Sequence, residues 1–451
     1  MLSPEKNART LSRRLEVPRA LRAFVRARES SFLFLGAGVG AFAGLVVAAM
    51  SLAVSELHAV FFGLERTQRL SALEAMDPSR ALIVPTLGGL VFGLGLLLVA
   101  RWRPAREVDA IEANALHGGR MSLIGSVIVA LQTVWSSGVG GSVGLEAGYT
   151  QLGSGVASWI GRAFHLRRRD LRTLVGCGSA GAIAGAFGAP IAGAFYAFEL
   201  IIGSYSAATL APVGLAALVG YLVAHVFEPS ALGIGTLYVS HVGGQDLAVA
   251  SAVGIAGAAV GISIMRGVAL CESLLNRLRL PPFLRPALGG LIVGLLACIS
   301  PQVLSSGHGA LQISSVLERP LRDIALVFVL KALASVVSLG VGFRGGLFFA
   351  SLLLGALGGR IFCRCFIGTV PGPGARSPCL FHHRHGGALG LGHRRPAHND
   401  VHCARDHGGF LADRRRADCG DHIGTGDSRD VWIFIRDVAV SFTRRDHPQR
   451  G

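Results

Sequence analysis

The chain has 451 residues, of which 51% are hydrophobic, only 16% are charged and 62 are glycine. With its positive mean hydropathy, that composition excludes an ordinary soluble domain and points to a membrane as the solvent. The formal net charge of +16 does not signal nucleic-acid binding, because the basic residues sit between apolar runs rather than on one soluble face.

In chain order, residues 1–30 form a basic segment in which Lys6, Arg9, Arg13, Arg14, Arg19, Arg22, Arg26 and Arg28 precede the first apolar run. The segment is too long for a cleavable signal and no small-residue cleavage site follows a short apolar core. By the positive-inside rule it is expected in the cytoplasm, with the chain in the inner membrane. Runs nearly free of charge follow at 31–54, 81–100, 121–134, 173–204, 207–226, 247–265, 284–299 and 324–339. Several reach the roughly 20 residues that one bilayer span needs. Others are broken by glycine or proline and are expected as half-helices inside a bundle, where neighbours or a water-lined cavity satisfy the freed backbone groups. The loop carrying Arg167, Arg168, Arg169 and Arg172 is expected on the cytoplasmic side too. Gly36, Gly40 and Gly44, at four-residue spacing, predict close helix approach. Cys177, Cys271 and Cys298 are expected to be small packing residues.

The segment that carries chemistry is 136–155, SSGVGGSVGLEAGYTQLGSG, where a lone carboxylate, Glu146, stands among glycines at the start of a helical run. An intramembrane carboxylate is costly and by default marks an ion path. Its glycine-rich approach leaves backbone N–H groups free at a helix N-terminus, which attracts anions without a full positive charge. A carboxylate bound there competes with a permeating anion for the same amides, so its movement or protonation opens the path. The run 138–144 is not a dinucleotide loop, since no strand precedes it and no ribose-binding acid is placed. The apolar runs show no nucleophile with a base and no metal set, so no enzymatic activity, metal or cofactor is expected.

Gly144-Leu145-Glu146-Ala147-Gly148, followed by Gln151 and Gly153, resembles the gating-glutamate motif G-K/R-E-G-P of the CLC family of chloride channels and transporters. Residues 178–199, ending in Glu199, are similar to the family's Ala/Gly-rich helix that ends in glutamate. The run Gly345-Gly346-Leu347-Phe348-Phe349-Ala350 resembles its G-x-F-x-P segment, whose amides hold the central anion. The resemblance covers residues 31–362. It implies an all-α polytopic membrane protein built from inverted repeats of tilted and broken helices, 31–228 and an incomplete 229–362. It further implies a homodimer in membrane lipid with one path per subunit, moving chloride or another small anion as voltage-gated chloride channels do. Glu146 is then the gate, and the backbone amides of Gly144, Leu145, Glu146, Leu347 and Phe348 hold the anion. Glu199 is a pathway carboxylate or a buried one capping neighbouring amides. The chain departs from the family in several places. Leu145 replaces the basic residue, Ala350 replaces the proline, and the G-S-G-I-P segment has only 108–114 as its nearest counterpart. Leu200 stands where proton-coupled members carry a second glutamate, which favours passive conduction; the alternative is a proton-coupled chloride or fluoride antiporter.

Residues 363–451 change character, holding nine of the 15 histidines and five of the eight cysteines. Cys363, Cys365, Cys379, His382, His383, His385, His402 and Cys403 match no standard zinc spacing. Trp432, Ile433, Phe434 and Ile435 are out of place in a disordered basic tail. Read one nucleotide later with GC-rich codons, residues 392–409 spell an apolar helix with one glutamate, echoing 188–199. Residues 429–442 then spell a segment with a tyrosine, where the family's final helix carries its anion-contacting tyrosine. The expectation is a tail out of frame from between Phe362 and Pro371, and an inactive product as written.

Overall fold

The structure, a computed structural model, describes residues 29–65, 68–103, 107–227, 244–316 and 319–366. The basic segment before Glu29 and the tail from residue 367 onward therefore lie outside the described residues. Among the described residues the chain is all-α, with thirteen α-helices and no strand. They are α1 (Glu29–Phe62), α2 (Pro78–Trp102), α3 (Ala110–Leu116), α4 (Leu123–Gly138), α5 (Glu146–Ala163), α6 (Arg168–Phe187), α7 (Pro190–Tyr196), α8 (Ala207–Phe227), α9 (Gly244–Arg277), α10 (Arg285–Ile299), α11 (His308–Val316), α12 (Leu321–Gly340) and α13 (Phe348–Phe366).

By length and composition α1, α2, α8, α9 and α12 can cross a membrane, while α4, α7, α10 and α13 are shorter and apolar. At 34 residues each, α1 and α9 run about 50 Å, longer than a hydrocarbon core of about 30 Å, so they lie tilted in a bilayer. The apolar run 173–204 breaks for a local reason. Gly188, at φ +64°, caps α6 in the left-handed conformation, and Pro190 opens α7 at its first turn. A π-helical turn, Ala197–Ile202, follows and closes at Gly203. Starts are set by side-chain caps: Asp77 accepts from the Ser79 N–H at 3.0 Å, Asp109 from the Glu112 N–H at 2.7 Å, and the Ser122 hydroxyl from the Gly125 N–H at 3.2 Å.

The glycines at four-residue spacing pack as expected. Gly40 and Gly44 of α1 lie against the backbone of Ala216 and Gly220 of α8, and Gly181 of α6 lies against Gly40, so side chains there would collide with main chain. Val39, Leu174, Cys177, Ala180 and Ala216 fill the space between these helices. A second close pair joins sequence-distant parts: Gly89 and Gly93 of α2 meet Pro286 and Phe283, while Gly290 of α10 meets Pro85. The two helices thus run antiparallel. Of the three cysteines expected to pack, Cys177 is buried and Cys271 half-buried, but Cys298 is exposed, its sulfur facing the Pro78 carbonyl at 3.8 Å. It lies at the end of the α2–α10 contact, one turn past Gly294, which meets Ala81.

Candidate functional site

Two loops enter the middle of the helix bundle, 139–145 ahead of α5 and 341–347 ahead of α13. They meet in an isolated antiparallel bridge, in which the Gly144 N–H donates to the Gly346 carbonyl at 2.9 Å and the Gly346 N–H returns to Gly144 at 3.0 Å. Serines pin each loop to the other side. The Ser142 N–H donates to Ser338 Oγ at 3.0 Å, Ser142 Oγ lies 3.2 Å from Ser335 Oγ, and the Arg344 N–H donates to Ser136 Oγ at 3.1 Å. The N-termini of α5 and α13, whose first amides have no intrahelical acceptor, therefore converge.

Glu146 occupies that convergence. It is 6% exposed, and its Oε1 accepts from the Phe349 N–H at 2.7 Å. Its Oε2 is buried with no hydrogen-bond partner. The carboxylate has room because Gly144 and Gly346 flank it; a Cβ on either would overlap it. A carboxylate at two helix N-termini stands where a free anion would bind.

The amide set differs from the expected one. The Gly144 N–H is committed to Gly346 and is removed from the free amides, because the inter-loop bridge uses it. Leu145 is buried beside the carboxylate. The Leu347 carbonyl accepts from the Ser351 N–H at 2.7 Å as α13 starts, and Phe348 is 42% exposed with its ring against Phe187. The amide that reaches Glu146 belongs to Phe349, a residue the motif match did not select. α13 begins at Phe348, so its first turn extends past the two residues chosen from the motif. The Phe349 ring stacks on Phe187 at 4.3 Å between centroids and lies 3.3 Å from the His308 ring, which fixes this turn. Glu199 needs a correction as well: it is exposed on the π-helical turn, not buried as a cap, because the turn directs Phe198 into the core in its stead.

Cavities lie on both sides of Glu146. One, of about 70 Å³, is lined by Leu145, Tyr149, His58, Arg69, Ser137, Ser305, Ser306, His308 and Phe349 among others. The other, of about 310 Å³, is lined by Ala147, Thr150, Gln151, Tyr196, Glu107, Asp109, Arg344 and Gly345. Leu145 and Tyr149 face the first and Ala147 and Thr150 the second, so Glu146 sits in the wall between them. Thr150 Oγ1 donates to the Glu146 carbonyl at 2.5 Å, and Gln151 Nε2 donates to the Val108 carbonyl at 2.8 Å. The stretch 108–114 thus borders the larger cavity, where Asp109 caps α3. Its far end is fixed by Asn114, fully buried, whose Nδ2 donates to the Arg172 and Ile201 carbonyls at 3.0 Å each.

One charged group escaped sequence reasoning. Lys331, within the run 324–339 read as nearly free of charge, is fully buried on α12. Its Nζ donates to the Ser305 carbonyl at 2.7 Å and the Val303 carbonyl at 3.2 Å. A lone lysine in mid-span was the signal available.

The sequence matches the family profile described as Voltage gated chloride channel over residues 88–382, a match that runs past Phe362. A voltage-gated ClC-type chloride channel, ClcB, of Salmonella typhimurium (strain LT2) is 31% identical over 345 residues, 75% of this chain and 82% of that protein. Among solved structures, a slow cyanobacterial Cl⁻/H⁺ antiporter aligns with a TM-score of 0.64 at 20% identity, covering 80% of this chain and 85% of that one. A CLC-type fluoride/proton antiporter aligns with a TM-score of 0.60 at 21% identity, covering 75% and 82%. The solved structures carry the fold, and the profile and the relative carry the descent: the chain belongs to the voltage-gated chloride channel family, the CLC family of chloride channels and transporters.

Proposed function

We propose that the protein moves chloride or another small anion across the inner membrane, with Glu146 as the gate of one path in each subunit of a homodimer. The observation that carries this reading is the buried carboxylate itself. Bound to the Phe349 amide between two cavities, it fills the place of an anion at paired helix N-termini. An anion entering from either cavity competes with it for the same amide, and its protonation or displacement joins the cavities. Leu145, Glu146, Leu347 and Phe348 remain the further candidate amides.

The second reading is proton-coupled exchange. It is favoured by the two solved neighbours, which are antiporters, and opposed by Leu200 in place of a second glutamate. Anion efflux from liposomes, recorded together with pH, separates the two. Efflux without proton movement, altered in Glu146→Ala, makes the protein a channel gated at Glu146; proton movement coupled to anion flux makes it an exchanger. The chain as written and a version with the shifted reading of the tail belong in the same experiment. We expect flux only from the second, and robust flux from the first removes the frameshift reading. Flux from neither, with both forms folded, ends the proposal of anion transport.

A further inference from the structure

Among the described residues Lys331 is the one buried cation that the proposed gate does not yet use. It lies ten residues into α12, about 15 Å along the axis from the helix start, where a charged side chain is expensive and persists only with a compensating partner. The chain builds a seat for it. After Pro301–Val303, Ser305 and Gly307 both adopt left-handed backbone, at φ +55° and +95°. For Ser305, a residue with a side chain, that conformation is unfavourable. It turns the Val303 and Ser305 carbonyls onto the ammonium. Ser305 is held in place from the first repeat, its Oγ 2.8 Å from Ser137 Oγ. At Gly307 a Cβ would come 3.6 Å from Lys331 Nζ and 2.9 Å from Leu353, so the seat also closes against α13.

Two carbonyl dipoles do not neutralise a full charge. Among the described residues Glu146 is the one buried carboxylate, and it forms no ion pair with Lys331. The two are linked through the first turns of α13: Phe349 binds the carboxylate, and Leu353, one turn on, packs at the lysine's seat. The other titratable or charged groups facing this pair are Tyr149 and Tyr196 on the Glu146 side, and His308 with Arg69 on the Lys331 side. His308 is itself hydrogen-bonded to Ser306.

We propose that Lys331 is a positioning residue of the path, a buried lysine held by the Val303 and Ser305 carbonyls whose charge keeps the Glu146 carboxylate ionised and seated on the Phe349 amide. The inference rests on the reading of Glu146 as the gate. Removing the lysine's charge then lets Glu146 take up a proton in less acidic solution, and the path opens at higher pH.

The test is an infrared titration of the full chain in membranes, following the protonated-carboxyl band that Glu146→Gln removes. Lys331→Gln, which keeps donors for the two carbonyls, and Lys331→Met are each expected to raise the midpoint of that band by about one pH unit or more, as loss of a nearby opposite charge does. Lys331→Arg should leave it within a few tenths of a unit. A midpoint unmoved in folded Lys331→Gln, or moved equally in Lys331→Arg, overturns the proposal and leaves Lys331 a loop anchor. Should Lys331→Met fail to accumulate, Lys331→Gln and Lys331→Arg decide the matter alone. The gate reading fails separately, if anion flux in Glu146→Gln, measured in the version with the shifted reading of the tail, keeps the pH dependence of that version's parent.

Discussion

At Gly346 any side chain points into the Glu146 carboxylate, so the position tests whether the seated carboxylate closes the path. Alanine there pushes the carboxylate off the Phe349 amide while leaving its charge and the rest of α5 intact. A hydrogen bond to a charged group is worth about 1.5–3 kcal/mol, and every ~1.4 kcal/mol is tenfold. In the version with the shifted reading of the tail, Gly346→Ala is therefore expected to raise anion flux at neutral pH by about tenfold or more, approaching the Glu146→Ala protein. Flux unchanged from the parent, in a folded variant, would show that the carboxylate does not close the path from this seat. The same crowding explains why glycine stands at both Gly144 and Gly346: the site needs the absence of side chains as much as the presence of one.

Among the helices, α1 shows how spacing becomes packing. Gly40 touches α8 main chain, whereas Gly38, two residues away, has nothing within 4 Å of a Cβ. Gly40→Leu should cost about 1–3 kcal/mol or more through overpacking, read as a lowered melting temperature in detergent, while Gly38→Ala should change stability by less than about 1 kcal/mol. Equal effects would remove the close α1–α8 contact. The start of α2 carries a pH signature. The Ser79 hydroxyl and amide hold the Asp77 carboxyl below its usual range, so this cap stabilises the fold at neutral pH and loses its effect as acid protonates it. The stability difference between the parent and Asp77→Ala should be constant above about pH 5 and shrink below about pH 4; a difference that grows on acidification would contradict the cap. Much of this level was legible in the sequence. The apolar runs became helices, Gly188 and Pro190 broke the longest of them, and Glu146 opened α5 among its glycines. Periodicity could not show which amide the second loop would offer, because the start of α13 was judged from a motif and lies so as to present Phe349. Nor could it show Lys331, whose partners are carbonyls of a loop some 26 residues earlier, brought close by backbone turns that no local pattern announces.

Across the whole bundle, the antiparallel α2–α10 pair and the parallel α1–α8 pair assign each loop to one face. The face reached by the ends of α2, α5 and α9 carries Arg101, Arg103, Arg120, Arg162, Arg167, Arg168, Arg169, Arg172, Arg277, Arg279 and Arg285. The face reached by the end of α1 and the start of α2 carries Arg69, Arg80, Arg319, Arg322, Arg360 and Arg364, and there Arg319 pairs with Glu74 at 3.3 Å. By the positive-inside rule the arginine bias leads us to expect the first face in the cytoplasm, together with the start of α1. On that expectation the larger cavity, with Glu107 and Asp109, would open inward and the smaller one, with Arg69 and His308, outward. Single cysteines at Glu74 and at Arg168, in a chain whose native cysteines are replaced because Cys298 is exposed, test the arrangement with a membrane-impermeant maleimide on intact cells. Glu74→Cys should label and Arg168→Cys should label only after the membrane is opened. The reverse pattern would invert the molecule, set the arginine bias against the rule, and place the acidic cavity on the outer side, from which the anion would have to pass two carboxylates before reaching Glu146.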